Sequence, residues 1–208
     1  VKLTETNGKF VFTMPASKVT VEAAFTAIAG KAENPFTDVP GDAYFADAVI
    51  WAVGKGITSG TTATTFSPNA SCTRGQMVTF LWRAAGSPAS ASSKMPFTDV
   101  PVTAYYYDAV LWAVEQGITS GTTATTFSPN ATVTRAQAVT FLWRAAGSEV
   151  IQTAAPFVDV KYGMYYYNAV AWAVENDITN GTSQTTFSPT QNCTRAQIVT
   201  FIWRYMGA

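Results

Sequence analysis

Apolar positions along this chain fall into helical stripes that come back at fixed intervals. Ala48, Val49, Trp51, Ala52 and Val53 fill i, i+3 and i+4 positions of one helical face, and the same run returns at 109–114 and 169–174. A second apolar run, Met77, Val78, Phe80, Leu81 and Trp82, follows Thr73-Arg74-Gly75-Gln76. That tetrapeptide recurs as Thr134-Arg135-Ala136-Gln137 and Thr194-Arg195-Ala196-Gln197. A Thr followed three residues later by Gln, just ahead of an apolar run, is a capping-box signature, so a helix starts there. Arg83 in its last turn and Gly86 just beyond give it a stop. The first helix of each set ends at Gly56 and Gly117, with Asn176-Asp177 in the third copy; all are types that tolerate a left-handed conformation. The stretch between the helices, residues 57–68 in the first copy, is too rich in Thr, Ser, Gly and Pro for a helix. Phe66, Phe127 and Phe187, within these loops, are expected to plug a small core. Each unit therefore reads as helix, long loop, helix.

Phe36-Thr37-Asp38-Val39 returns as Phe97-Thr98-Asp99-Val100 and as Phe157-Val158-Asp159-Val160, which sets the period at 61 and then 60 residues. The spacing from this Asp to the following Arg is 36 in every unit, so the slip lies in Ala/Ser-rich linkers such as 88–93. Units are expected at 32–88, 94–149 and 153–208. Each is marginal alone and needs its neighbours, which points to helices meeting about a pseudo-threefold axis; the stripes carrying Trp51, Trp112 and Trp172 are the expected contact. Residues 1–31 differ: 9–14 and 18–25 read as two strands joined at Pro15-Ala16-Ser17, a β-hairpin remnant of a preceding β domain or linker.

Composition narrows the function classes. The chain has 208 residues with 13 basic and 13 acidic side chains, which argues against a nucleic-acid or anionic-membrane partner. No histidine is present, which excludes His-based acid/base chemistry, Ser-His-Asp triads and most catalytic zinc sites. No apolar run approaches the roughly 18 residues of a membrane span. The chain begins at Val1 without Met or a signal-peptide pattern and is read as a fragment or processed form. Cys72 and Cys193 hold the place that Val133 holds in the middle unit, so both are expected as free, buried thiols, too far apart to bridge.

Phe-x-Asp-Val, a Trp-bearing helix, Gly-Ile-Thr-Ser-Gly, Phe-Ser-Pro and Thr-Arg-x-Gln, three times over, resemble the S-layer homology (SLH) domain across 34–208. Residues 1–29 are more distantly similar to the end of an internalin-type B-repeat, which carries a similar "FTMP … VTV" pattern. The SLH resemblance implies a mainly α fold, a three-pronged spindle around a three-helix bundle. It also implies non-catalytic binding of a secondary cell-wall polysaccharide, commonly pyruvylated, in grooves between adjacent lobes at the bacterial surface. No cofactor and no metal is implied, nor any membrane insertion, and the chain is expected to be a monomeric module of a larger surface protein. The family's Thr-Arg-Ala-Glu falls on Thr73–Gln76, Thr134–Gln137 and Thr194–Gln197, with Gln in place of Glu each time.

Candidate ligand contacts follow. Arg74, Arg135 and Arg195 sit at helix starts, where the macrodipole disfavours a cation. Each either faces an acidic ligand group beside free helix N–H groups, or braces a lobe by packing across an aromatic or pairing with an Asp. Gln76, Gln137 and Gln197 accompany them. Tyr44, Tyr105 and Tyr165 are either sugar platforms or lobe core residues. Gly60, Gly121 and Gly181 border the groove or simply make a turn. Trp51, Trp112 and Trp172 read as core, Arg83, Arg144 and Arg204 as structural, and Asp38, Asp99 and Asp159 as backbone caps, with structural calcium the alternative for the acids. Two other functions stay open: a protein–protein assembly module on the same scaffold, and a glycosidase using two carboxylates.

Overall fold

Thr73, Thr134 and Thr194 each stand in extended backbone and accept a hydrogen bond from the main chain of Gln76, Gln137 and Gln197, whose side chains reach back to the Thr N–H. All three capping boxes are therefore complete, and they launch three helices: α2 (Arg74–Ala84), α4 (Arg135–Ala145) and α6 (Arg195–Met206). The partner helices, α1 (Ala46–Gly54), α3 (Tyr107–Glu115) and α5 (Tyr167–Glu175), start without a side-chain cap. They end where the sequence says: Gly56, Gly117 and Asp177 have φ of 69°, 67° and 55°. The computed structural model describes residues 5–6, 9–10 and 33–207 and divides the chain into two compact units, Val1–Lys31 and Ala32–Ala208. In the first, β1 (Glu5–Thr6) pairs antiparallel with β2 (Lys9–Phe10). Of the expected hairpin at 9–14 and 18–25, only Lys9 and Phe10 fall among the described residues.

In the second unit α2, α4 and α6 pack on one another, so the axis is occupied by the Thr-Arg-x-Gln helices and not by the Trp51, Trp112 and Trp172 helices expected there. The reason is visible in the burial. Met77, Val78, Thr79, Phe80 and Leu81 are consecutive and all buried, and a helix apolar on every side belongs at the centre. Thr79 is tolerated because its hydroxyl donates to the Gly75 carbonyl one turn back, at 2.7 Å. The outer helices lean on the inner helix of the preceding unit: α3 on α2, α5 on α4, and α1 on α6, which closes the three units into a ring.

At the start of the inner helices the three units meet directly. Cys72 N–H donates to the Cys193 carbonyl, Cys193 N–H to Val133, and Val133 N–H to Cys72, each at 2.9 Å. Antiparallel bridges Ser71–Thr194, Thr73–Thr132 and Thr134–Asn192 frame this cyclic triplet. Cys72 and Cys193 are free and buried, as expected. The expected separation is overturned, because one backbone hydrogen bond of 2.9 Å holds the two Cα atoms within about 6.8 Å of each other. Each unit's own core is a pair of rings, Phe36–Phe66, Phe97–Phe127 and Phe157–Phe187, at centroid separations of 5.8, 5.8 and 5.9 Å.

Candidate functional site

The loops that follow α1, α3 and α5 are held by the repeated aspartates. Asp38 accepts from the N–H groups of Phe66 and Ser67 at 2.8 and 2.7 Å, and Asp99 and Asp159 do the same for Phe127–Ser128 and Phe187–Ser188. They are backbone caps, but of a loop 28 residues on and not of the next helix. Ser67, Ser128 and Ser188 have φ of 58°, 57° and 58°, a strained choice for a non-glycine residue that the bidentate carboxylate fixes. Gly60, at φ 88°, is required twice over: a Cβ there would lie 2.5 Å from both the Phe36 ring and the Thr65 carbonyl. Gly121 and Gly181 stand in the same position against Phe97 and Phe157.

Arg74, Arg135 and Arg195 are each only 3% exposed, packed into the seams between units. The Nε–H of Arg74 donates to the Phe127 carbonyl at 2.9 Å, that of Arg135 to Phe187 at 2.7 Å, and that of Arg195 to Phe66 at 2.9 Å. Each guanidinium also lies over that same ring, at 4.7, 4.7 and 4.8 Å from the centroid. Every one of these partners belongs to a neighbouring unit, so the arginines join the units in the order one to two, two to three, three to one. Burial pushes all three guanidinium pKa values down from the ordinary arginine range, with Asp99, Asp159 and Asp38 respectively among the groups opposing it. The helix-start N–H groups expected to face a ligand are also taken. Arg74 and Gly75 N–H donate to the Ala131 and Pro129 carbonyls, and the other two helices repeat this.

One thing is left over. Arg74 Nη2 and Arg195 Nη2 are buried with no hydrogen-bond partner, whereas Arg135 Nη2 reaches the Thr179 hydroxyl at 3.4 Å. Arg195 opens onto a cavity of about 310 Å³ lined also by Thr58, Ser59, Gly60, Thr61, Gln76, Thr79, Phe80, Arg83 and Tyr105. Four expected site residues, Gly60, Gln76, Tyr105 and Arg195, thus converge from three different units. Tyr105 is 60% exposed and forms the rim, and burial of its inner side raises its hydroxyl pKa above 10.0, opposed by a Thr73 side-chain hydrogen bond. Tyr165 has Arg74 and Arg144 as its charged neighbours, and Tyr44 has Arg204 and Arg135, so the combination recurs at the other two seams. Trp112 and Trp172 are core residues, 7% and 1% exposed, and Trp51 is half-buried.

Arg83 is both a brace and a cavity wall: its Nη1 donates to the Ile57 carbonyl at 3.1 Å, as Arg144 and Arg204 do to Ile118 and Ile178. Sequence reasoning missed its place at the cavity, and missed Thr58, Ser59 and Thr61; their position beside Gly60 was the available signal. The cavity carries two cations and no carboxylate, so the two acids a glycosidase needs are not in it. Among the described residues no group of three or more Cys, Asp or Glu is placed to hold a metal ion, and no helix is long and apolar enough to cross a membrane.

Comparison with known proteins agrees with this threefold organisation. The chain is 38% identical over 109 residues to an endoglucanase of Bacillus sp. (strain KSM-635), covering 52% of this chain and 11% of that protein. It is 32% identical over 139 residues to the surface-layer 125 kDa protein of Lysinibacillus sphaericus, covering 66% and 12%. It is 27% identical over 194 residues to the S-layer protein of Bacillus thuringiensis subsp. finitimus, covering 91% and 23%. The chain therefore spans less than a quarter of the length of each of these relatives. The S-layer homology domain profile matches it three times, at residues 35–78, 96–139 and 156–199, and the chain belongs to the S-layer homology domain family.

Proposed function

We propose that this chain holds a surface protein to the bacterial cell wall by gripping an acidic, pyruvylated secondary wall polysaccharide in the grooves between its units, without catalysis. The observation that carries the reading is the unpartnered Nη2 of Arg195, buried yet opening onto a cavity whose only charges are Arg195 and Arg83. A buried donor without an acceptor costs about 1–3 kcal/mol, and an incoming carboxylate would remove that cost. Gln76 and the Thr58–Ser59–Thr61 hydroxyls offer neutral partners for sugar hydroxyls, and Tyr105 presents a ring face at the rim. In this reading Arg74, Gln137, Gly121 and Tyr165 form the second groove, and Arg135, Gln197, Gly181 and Tyr44 the third. The third is the weakest, because Thr179 already occupies its guanidinium.

The test is sedimentation with purified walls carrying the polymer, walls stripped of it, and walls whose ketal carboxylates have been removed by mild acid. Binding is expected only to the first. Equal binding to stripped walls would favour the protein–protein assembly reading.

A further inference from the structure

We propose that Cys72 and Cys193 are a thiol pair built to form an intramolecular disulfide, a covalent clasp that locks the first unit to the third. Three successive contacts between the two segments fix their register: the Ser71–Thr194 bridge, Arg195 N–H to the Ala70 carbonyl at 2.9 Å, and Cys72 N–H to the Cys193 carbonyl at 2.9 Å. The single N–H···O contact at 2.9 Å holds the two Cα atoms within about 6.8 Å of each other, inside the roughly 4.4–6.8 Å range that a disulfide spans. The third corner of the triplet is Val133, and the chain has no other cysteine, so one intramolecular pairing is available. Both side chains are fully buried, which shields the bond from exchange once it has formed.

The chemistry needs a disulfide oxidant such as oxidised glutathione. The Cys72 thiolate attacks one of its sulfurs and releases one glutathione thiolate. Cys193 then attacks the mixed disulfide at the Cys72 sulfur and releases the second. Two cysteine protons end on two glutathione thiols, and one disulfide replaces another. Burial raises both thiols to about 12, so the thiolate is scarce in the closed ring. The clasp therefore forms while the ring is still assembling, and slowly afterwards. It spans the whole second unit, and a loop that long constrains the unfolded chain strongly.

The experiment is refolding of the chain from denaturant in a glutathione redox buffer, read by intact mass, peptide mapping and thermal melting. The expected product has lost two hydrogens, carries a Cys72–Cys193 cross-link and no glutathione, and melts roughly 5–15 °C higher, reversibly on reduction. Cys72→Val and Cys193→Val fold, since Val133 shows that valine fits the position, and neither responds to the oxidant. Persistence of two titratable thiols would overturn the clasp. So would glutathione adducts, intermolecular dimers, or a cross-linked form that melts lower.

Discussion

The apex triplet and the groove are two parts of one seam, two residues apart in the chain. At the apex, Cys72, Val133 and Cys193 are neutral and buried, and each backbone donor of the triplet has an acceptor in the next. At the groove, Arg74, Arg135 and Arg195 bring a charge into the same seam, and two of the three keep a guanidinium nitrogen without a partner. A complete set of hydrogen bonds makes a joint and offers a ligand nothing. An incomplete set costs stability and leaves a place for an anion. The single segment Cys72-Thr73-Arg74 does both, so joining the units is what assembles the groove.

The sharpest way to break this comparison is Arg195→Ala. It should destabilise by about 2–4 kcal/mol, because the Phe66 carbonyl loses its donor, the cation–π contact goes, and a void opens at the seam. Arg195→Lys should recover only part of this, since an ammonium lacks the planar fork. Denaturant titration measures both, and an unmoved midpoint would mean the arginines are ligand groups and nothing more.

The apex is tested by alkali. Cys72 and Cys193 are raised from an ordinary 9.0 to about 12, so the folded state favours the neutral thiol. Their contribution is intact below pH 9 and is lost as pH rises towards 12, on the order of 2 kcal/mol per thiol near pH 10.5. The difference between the wild-type chain kept fully reduced and Cys72→Val/Cys193→Val, melted across that range, isolates this from other titrating groups.

Arg83→Ala should cost less, about 1–1.5 kcal/mol, for one hydrogen bond to Ile57 and a favourable helix-end charge. The smallest stability effect is expected for Tyr105→Ala at the exposed rim, within about 0.5 kcal/mol, with wall binding reduced several-fold. Early melting without any binding loss would move Tyr105 from the groove to the core.

What could be read in the sequence was local. The Thr-x-x-Gln cap, the Gly56 and Gly117 stops and the loop-filling Phe66 each involve residues close in the chain, and each stands where its chemistry put it. What could not be read was which copy a side chain faces. Arg195 braces Phe66, 129 positions away, and threefold duplication makes Phe66, Phe127 and Phe187 indistinguishable as partners. The same ambiguity hid the closeness of Cys72 and Cys193. The Trp51 stripe was a genuine apolar face, but it settles on the neighbouring unit's inner helix. The unbroken run from Met77 to Leu81 was the better sign of a central helix.

Because α1 rests on α6, the repeat number is not free to drift. An open stack of repeats has end faces, and copies can be gained or lost there while each junction stays as it was. A ring of three has no end face. A fourth copy would find no surface to stack on, and loss of one would strip two junctions at once and leave an Arg without its ring. Growth of such a module is therefore expected in whole sets of three, and a count of repeats in a longer chain becomes a count of closed rings.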